Sequence, residues 1–185
     1  SWTWGDRVDQ MLARNLSQRM LEQYFGEPSA FPAEFRPSAY QKPEGGIAIF
    51  PFADVDLVLS ARVAALAPEE FGRQGLIAYF QTVLDDPAET RERVIVALFG
   101  MAELGEPVLP TIQALAAEND LSVREQLYLG LAAADLGDLD TARGIYRGLL
   151  DQYGQRRGPD ARLKVGEDQD DILETTSLAA ELGAS

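Results

Sequence analysis

Neither cysteine nor histidine occurs in the 185 residues of this chain. The first absence excludes disulfides, thiol nucleophiles and thiolate-ligated metals from the segment. The second excludes serine–histidine catalysis and histidine-ligated zinc. Basic residues are scarce: 16 Lys and Arg stand against 30 Asp and Glu, for a formal charge of −14. Such a field repels phosphate backbones, so no nucleic-acid partner is expected. No run of about eighteen apolar residues is present, so no membrane span is expected either. The opening Ser1-Trp2-Thr3-Trp4 lacks the basic and apolar regions of a signal peptide. What remains is 46% hydrophobic, enough for a real core.

The chain repeats one phrase three times: Met101-Ala102-Glu103-Leu104-Gly105, Ala133-Ala134-Asp135-Leu136-Gly137 and Ala179-Ala180-Glu181-Leu182-Gly183. Each reads as a buried helix stopped by a left-handed glycine cap. The first two glycines are 32 residues apart, a spacing of stacked helical hairpins. The third follows after 46, and the chain ends two residues later. The array therefore reads as cut short, a piece of a larger protein.

Periodicity divides this single helical-repeat domain, 1–185, into stretches. Residues 1–26 carry one amphipathic helix, with Val8, Met11, Leu12, Leu16, Met20, Leu21 and Tyr24 at three- and four-residue steps. Residues 27–53 form a long loop with Pro28, Pro32, Pro37, Pro43 and Pro51, holding an extended piece at Gly46–Phe50. Residues 54–153 are helical hairpins. Asp54 or Asp56 caps the first, Pro68-Glu69-Glu70 opens the second, and others cover Thr90–Leu104, Glu106–Glu118, Leu121–Leu136 and Asp138–Tyr153. Residues 154–169 read as a polar loop, and 170–183 as the last helix, capped by Asp170 or Asp171. Short linkers force antiparallel neighbours, and each pair must stack on the next to bury its apolar face. The fold class is all-α, antiparallel helical hairpins in a toroid-like or solenoid arc. Gly144 and Gly148, four apart on one helix face, predict close helix–helix approach.

Leu127–Leu150 resembles a tetratricopeptide repeat: Leu129-Gly130 sit at that family's Leu-Gly pair, Ala142 at its small residue and Tyr146 at its aromatic one. One hairpin earlier, Leu98 and Pro110 fall on those glycine and alanine positions and depart from the pattern. A second resemblance covers more of the chain. Gly45-Gly46-Ile47-Ala48-Ile49-Phe50-Pro51 followed by Asp54-Val55-Asp56-Leu57-Val58-Leu59-Ser60-Ala61 looks like the glycine–aromatic loop and helix start of α/α-toroid proteins. Asp171–Ala180 is similar to another such start, with Asp56 matching Asp171 and Ser60 matching Thr175. That group includes the thioester-containing domain of α-macroglobulins, terpenoid cyclases and glycan-processing enzymes. The thioester motif, a Cys followed closely by Glu-Gln, has no counterpart here, so covalent capture does not carry over.

Thirty acids invite two site readings. The cluster Glu167, Asp168, Asp170, Asp171 and Glu174 fails as a calcium loop, because Ile172 and Leu173 fall where a ligand and a glycine are needed. It reads as an acidic first turn facing a helix dipole, and no metal or cofactor is expected. Paired carboxylates for glycoside chemistry would come from Asp54, Asp56, Asp171 and Glu174, if both helix starts face one end of a toroid. Binding candidates are the loop aromatics Phe31, Phe35, Tyr40, Phe50 and Phe52, for which packing of the loop onto the core is the favoured reading. The one basic patch, Arg156-Arg157 with Arg162 and Lys164, reads as solvating a loop or pairing with Asp160 and its neighbours. The functional expectation is a non-catalytic protein-interaction or structural module of a larger, bacterial surface or secreted protein, with a protein partner. The alternative is part of a carbohydrate-active α/α-toroid enzyme acting on a glycan through paired carboxylates. The compartment is open, with the cell exterior slightly favoured over the cytoplasm.

Overall fold

The computed structural model describes residues 7–26, 35–157, 160–166 and 168–185, most of which are helical. Eight α-helices and two short strand pairs make up the described residues, which is the all-α class expected. The chain forms two compact units, Ser1–Tyr79 and Phe80–Ser185.

In the first unit, α1 (Val8–Phe25) buries only Val8, Met11 and Leu12. Its Val8 amide is held by the Ile49 carbonyl at 3.0 Å. Met20, Leu21 and Tyr24, expected on the buried face, are exposed instead. That half of the helix is held by Arg19, which reaches Glu70 at 2.6 Å and Glu69 at 3.5 Å. The loop beyond residue 35 is ordered by local bonds. A 3-10 turn at Pro37–Ala39 buries Tyr40, and the predicted extended piece is β1 (Ile47–Ala48), antiparallel to β2 (Val55–Asp56). Asp56 caps α2 (Leu57–Leu66), its carboxylate accepting from the Leu59 amide at 2.9 Å. Buried Ser60 joins the hairpin to that helix: its Oγ accepts from the Ile47 amide at 2.8 Å and donates to the Asp56 carbonyl at 2.6 Å.

Pro68–Glu70 makes only a 3-10 turn, and α3 (Arg73–Asp85) begins later than its proline suggested. The Gln41 side chain explains the delay. It accepts from the Gly72 amide at 2.7 Å and donates to the carbonyls of Gly72 and Gly45, fixing Gly72 as non-helical backbone. Gly45 has φ +98°, and a Cβ there would lie 1.9 Å from the Gly75 carbonyl oxygen, so no side chain fits.

The second unit is built from α4 (Arg91–Glu103), α5 (Leu109–Ala116), α6 (Val123–Asp135), α7 (Leu139–Tyr153) and α8 (Gln169–Ala184). Thr90, Ser122, Asp138 and Asp168 cap α4, α6, α7 and α8 through their side chains. The cap of α8 is thus Asp168, not Asp170 or Asp171, which donate their amides to it. At the centre lies α6, packed against all four other helices. Seven consecutive residues, Leu127–Ala133, are buried, so it is apolar all round.

Two of the three repeated phrases are caps. Gly105 (φ 71°) and Gly137 (φ 84°) are left-handed, and each motif closes with the same bonds: Gly105 to Ala102 and Glu106 to Met101, Gly137 to Ala134 and Asp138 to Ala133. The third differs. Gly183 lies inside α8, and a Cβ there would sit 2.8 Å from Tyr146 Oη, so this glycine makes room for a ring. Gly144 and Gly148 also correct the expectation, since a Cβ at either meets nothing within 4 Å. The face they share is open, not packed.

The largest departure is at residues 154–169. The polar loop is a hairpin, β3 (Gly154–Arg157) antiparallel to β4 (Asp160–Leu163), with Gly154 opposite Leu163. Leu163 is buried and its amide donates to Thr176 Oγ1 of α8 at 3.2 Å. Burial of one leucine and that bond fold a stretch whose composition is otherwise that of a loop.

Candidate functional site

The four carboxylates expected to form a pair fall into different units. Asp54 is exposed and Asp56 serves as the α2 cap. Asp171 is exposed in the first turn of α8, its carbonyl accepting from Thr175 Oγ1 at 2.7 Å. Glu174 is ion-paired with Arg124, which also holds Glu92 at 3.2 Å. Among the aromatics, Phe31 lies outside the described residues. Phe35 stands 6.1 Å from both Tyr40 and Phe71, in the packing role. Phe50 and Phe52 stack at 5.4 Å with their planes 3° apart, and Phe52 is 74% exposed.

A second cluster of charge is structural. Arg91 binds Glu125 at 2.9 Å, Glu118 at 2.9 Å and Asp120 at 2.8 Å. Glu125 is buried and completes the capping box of α6 by accepting from the Ser122 amide at 2.7 Å. The Arg91 hydrogen bond holds the Glu125 carboxyl below the usual glutamate range, against its burial.

The acids of the three repeated phrases meet. Asp135 hydrogen-bonds Glu103 and feels the charge of Glu181. Loss of water around Asp135 and the Glu181 charge raise its carboxyl above the ordinary aspartate range, opposed by the Glu103 bond. No group of three or more acids suited to a metal occurs among the described residues.

One feature with room for a ligand lies where α7, β4 and α8 adjoin, and another, of about 540 Å³, lies in the first unit beside Gln41, Lys42, Gly45 and Gly72. A small cavity of about 150 Å³ is lined by Tyr146, Leu150, Leu163, Thr176, Ala179 and Ala180, with Arg162 at its edge. Arg162 and Thr176 also line a second cavity of about 510 Å³, with Lys164, Gln169, Ile172 and Leu173. Leu150 and Leu173 are exposed beside these openings. The Arg162 guanidinium donates to Gln155 Oε1 at 3.3 Å, and its Nε is buried without a partner among the described residues. Lys164 is exposed. The groove at these openings is lined by two members of the basic patch, Arg162 and Lys164, whereas Arg156 is exposed. Its one sequence signal was the alternation Arg162-Leu163-Lys164, two cations around a buried leucine.

No protein-family model, curated protein or solved structure matches this chain. None of the described helices is long and apolar enough to cross a membrane.

Proposed function

We propose that the chain is a non-catalytic protein-interaction module of a larger protein, and that the groove of α7, β4 and α8 is its binding face. One observation carries this reading: an open groove with apolar lining holds Arg162 and Lys164, from the segment of a strongly acidic chain that is richest in cations. Six of the sixteen basic residues, Arg143, Arg147, Arg156, Arg157, Arg162 and Lys164, fall within 143–164, with only Asp151 and Asp160 as acids between them. Cavities with an apolar floor and a few polar groups at the edge suit partner side chains. Two of the four carboxylates of the enzymatic alternative have other employment here, as a cap for Asp56 and an ion pair for Glu174.

Selection of peptides from a displayed random library tests the reading. Ala180 is exposed and lines the smaller cavity, so Ala180→Arg blocks it without disturbing the core. Peptides should be enriched on the natural chain and lost on the variant. Retention on the variant, or no enrichment at all, would overturn the proposal.

A further inference from the structure

We propose that Met20 is a reversible oxidation site, the methionine at which a hydroperoxide marks the folded chain. The chain holds three methionines and no cysteine, so thioethers are its only sulfur and no thiol competes for the oxidant. The fold separates the three sharply. Met11 is 7% exposed and Met101 5%, both in the cores of their units, whereas Met20 is 59% exposed on α1. Tyr24 follows Met20 by one turn and Phe25 follows Leu21, and all four are exposed, so the Met20 side chain belongs to an open apolar face. Arg19 ties this half of the helix to Glu69 and Glu70, which holds α1 in place while Met20 stays in water.

The step balances with the hydroperoxide alone. The sulfur lone pair attacks one peroxide oxygen, and the S–O bond forms as the O–O bond breaks. The departing hydroxide takes the proton of the transferred oxygen and leaves as water. The sulfur loses the electron pair that the peroxide gains. At Met11 or Met101 the same change would set a polar S=O in a packed core, and the fold must open before the oxidant arrives. At Met20 the new oxygen meets water, so the unit keeps its packing while an apolar face gains a polar, chiral group. Without cysteine the chain has no thiol to undo the step. The return is supplied from outside, by methionine sulfoxide reductases, one for each sulfoxide epimer.

Hydrogen peroxide added to the whole chain, followed by peptide mapping with mass spectrometry, tests this. Met20 should gain its oxygen about tenfold faster than Met11 or Met101, because the buried two wait on opening of the fold. The singly oxidised chain should keep its Tm and elute earlier from a hydrophobic matrix. The pair of reductases with dithiothreitol should restore its mass and its retention. Met20→Leu should remove the fast phase and leave the circular dichroism unchanged. Oxidation of Met11 or Met101 as fast as that of Met20 overturns the proposal. So does a fall in Tm on the first oxygen, or a sulfoxide that the reductases leave in place, since either makes the reaction damage and not a reversible mark.

Discussion

The Ile47 amide donates to Ser60 Oγ thirteen residues later, and the Leu163 amide donates to Thr176 Oγ1 at the same separation. In each unit a buried strand residue is tied by a hydroxyl to the helix that follows its hairpin. The two bonds differ in length, 2.8 against 3.2 Å, and Ser60 is wholly buried where Thr176 is partly so. Ser60→Ala leaves a buried amide unsatisfied and should cost about 1–3 kcal/mol. Thr176→Val should cost about 1 kcal/mol or less. Urea unfolding followed by hydrogen exchange in each unit measures both, and an equal or reversed order would contradict this account.

Glu125 predicts acid sensitivity in the second unit. Its carboxyl sits below the ordinary glutamate range because Arg91 binds its charged form. The stabilisation is therefore complete above the unfolded value of about 4.3 and is lost as pH falls through the lower folded value. Glu125→Gln keeps the shape but removes the charge, and should cost about 1–3 kcal/mol at neutral pH. The deficit should shrink on acidification.

Asp135 predicts the opposite sign. Its carboxyl is raised in the folded chain, so ionisation at neutral pH opposes folding, and the penalty disappears as pH falls through the folded value. Asp135→Asn should stabilise the unit at pH 7, by less than about 1 kcal/mol because the side chain, though crowded on one side, is still reached by water that screens the charge. The gain should be absent in acid. Melting temperatures at several pH values decide between this and a purely structural effect, which would not vary with pH.

Glycines in helices should behave in two ways. Gly144→Ala and Gly148→Ala add a methyl to open space and should each stabilise by about 0.5–1 kcal/mol. Gly183→Ala brings its methyl against the Tyr146 ring. That substitution should forfeit the helical gain, and a Tm increase equal to that of Gly144→Ala would show that Tyr146 moves away freely.

The helices were legible because local chemistry specifies them: Thr90 and Asp138, read as the first residues of their helices, cap them, and Gly105 and Gly137 end helices as their phrase implied. Gly183 misled because the same words mean a cap or a packing gap, depending on what lies across from them. Gly144 and Gly148 misled for the converse reason, since spacing names a face but not its neighbour. The groove was legible only as the alternation of Arg162, Leu163 and Lys164. Its hairpin depends on Leu163 meeting Thr176 of a later helix, a tertiary bond that no window of residues 154–163 contains. Nor could spacing show that Asp56 and Asp171 belong to different units.

The central position of α6 has a consequence for synthesis. Translation delivers α4 and α5 first, yet both rest on a helix that begins at Val123. Eight consecutive residues of α4, Ile95–Ala102, are buried in the finished unit. Until α6 leaves the ribosome they have no complete surface to settle on, and at about 5–20 residues per second that interval lasts on the order of seconds. During it the nascent chain offers an apolar segment to any chaperone within reach, so the birth of this unit is governed by its middle helix and not by its first.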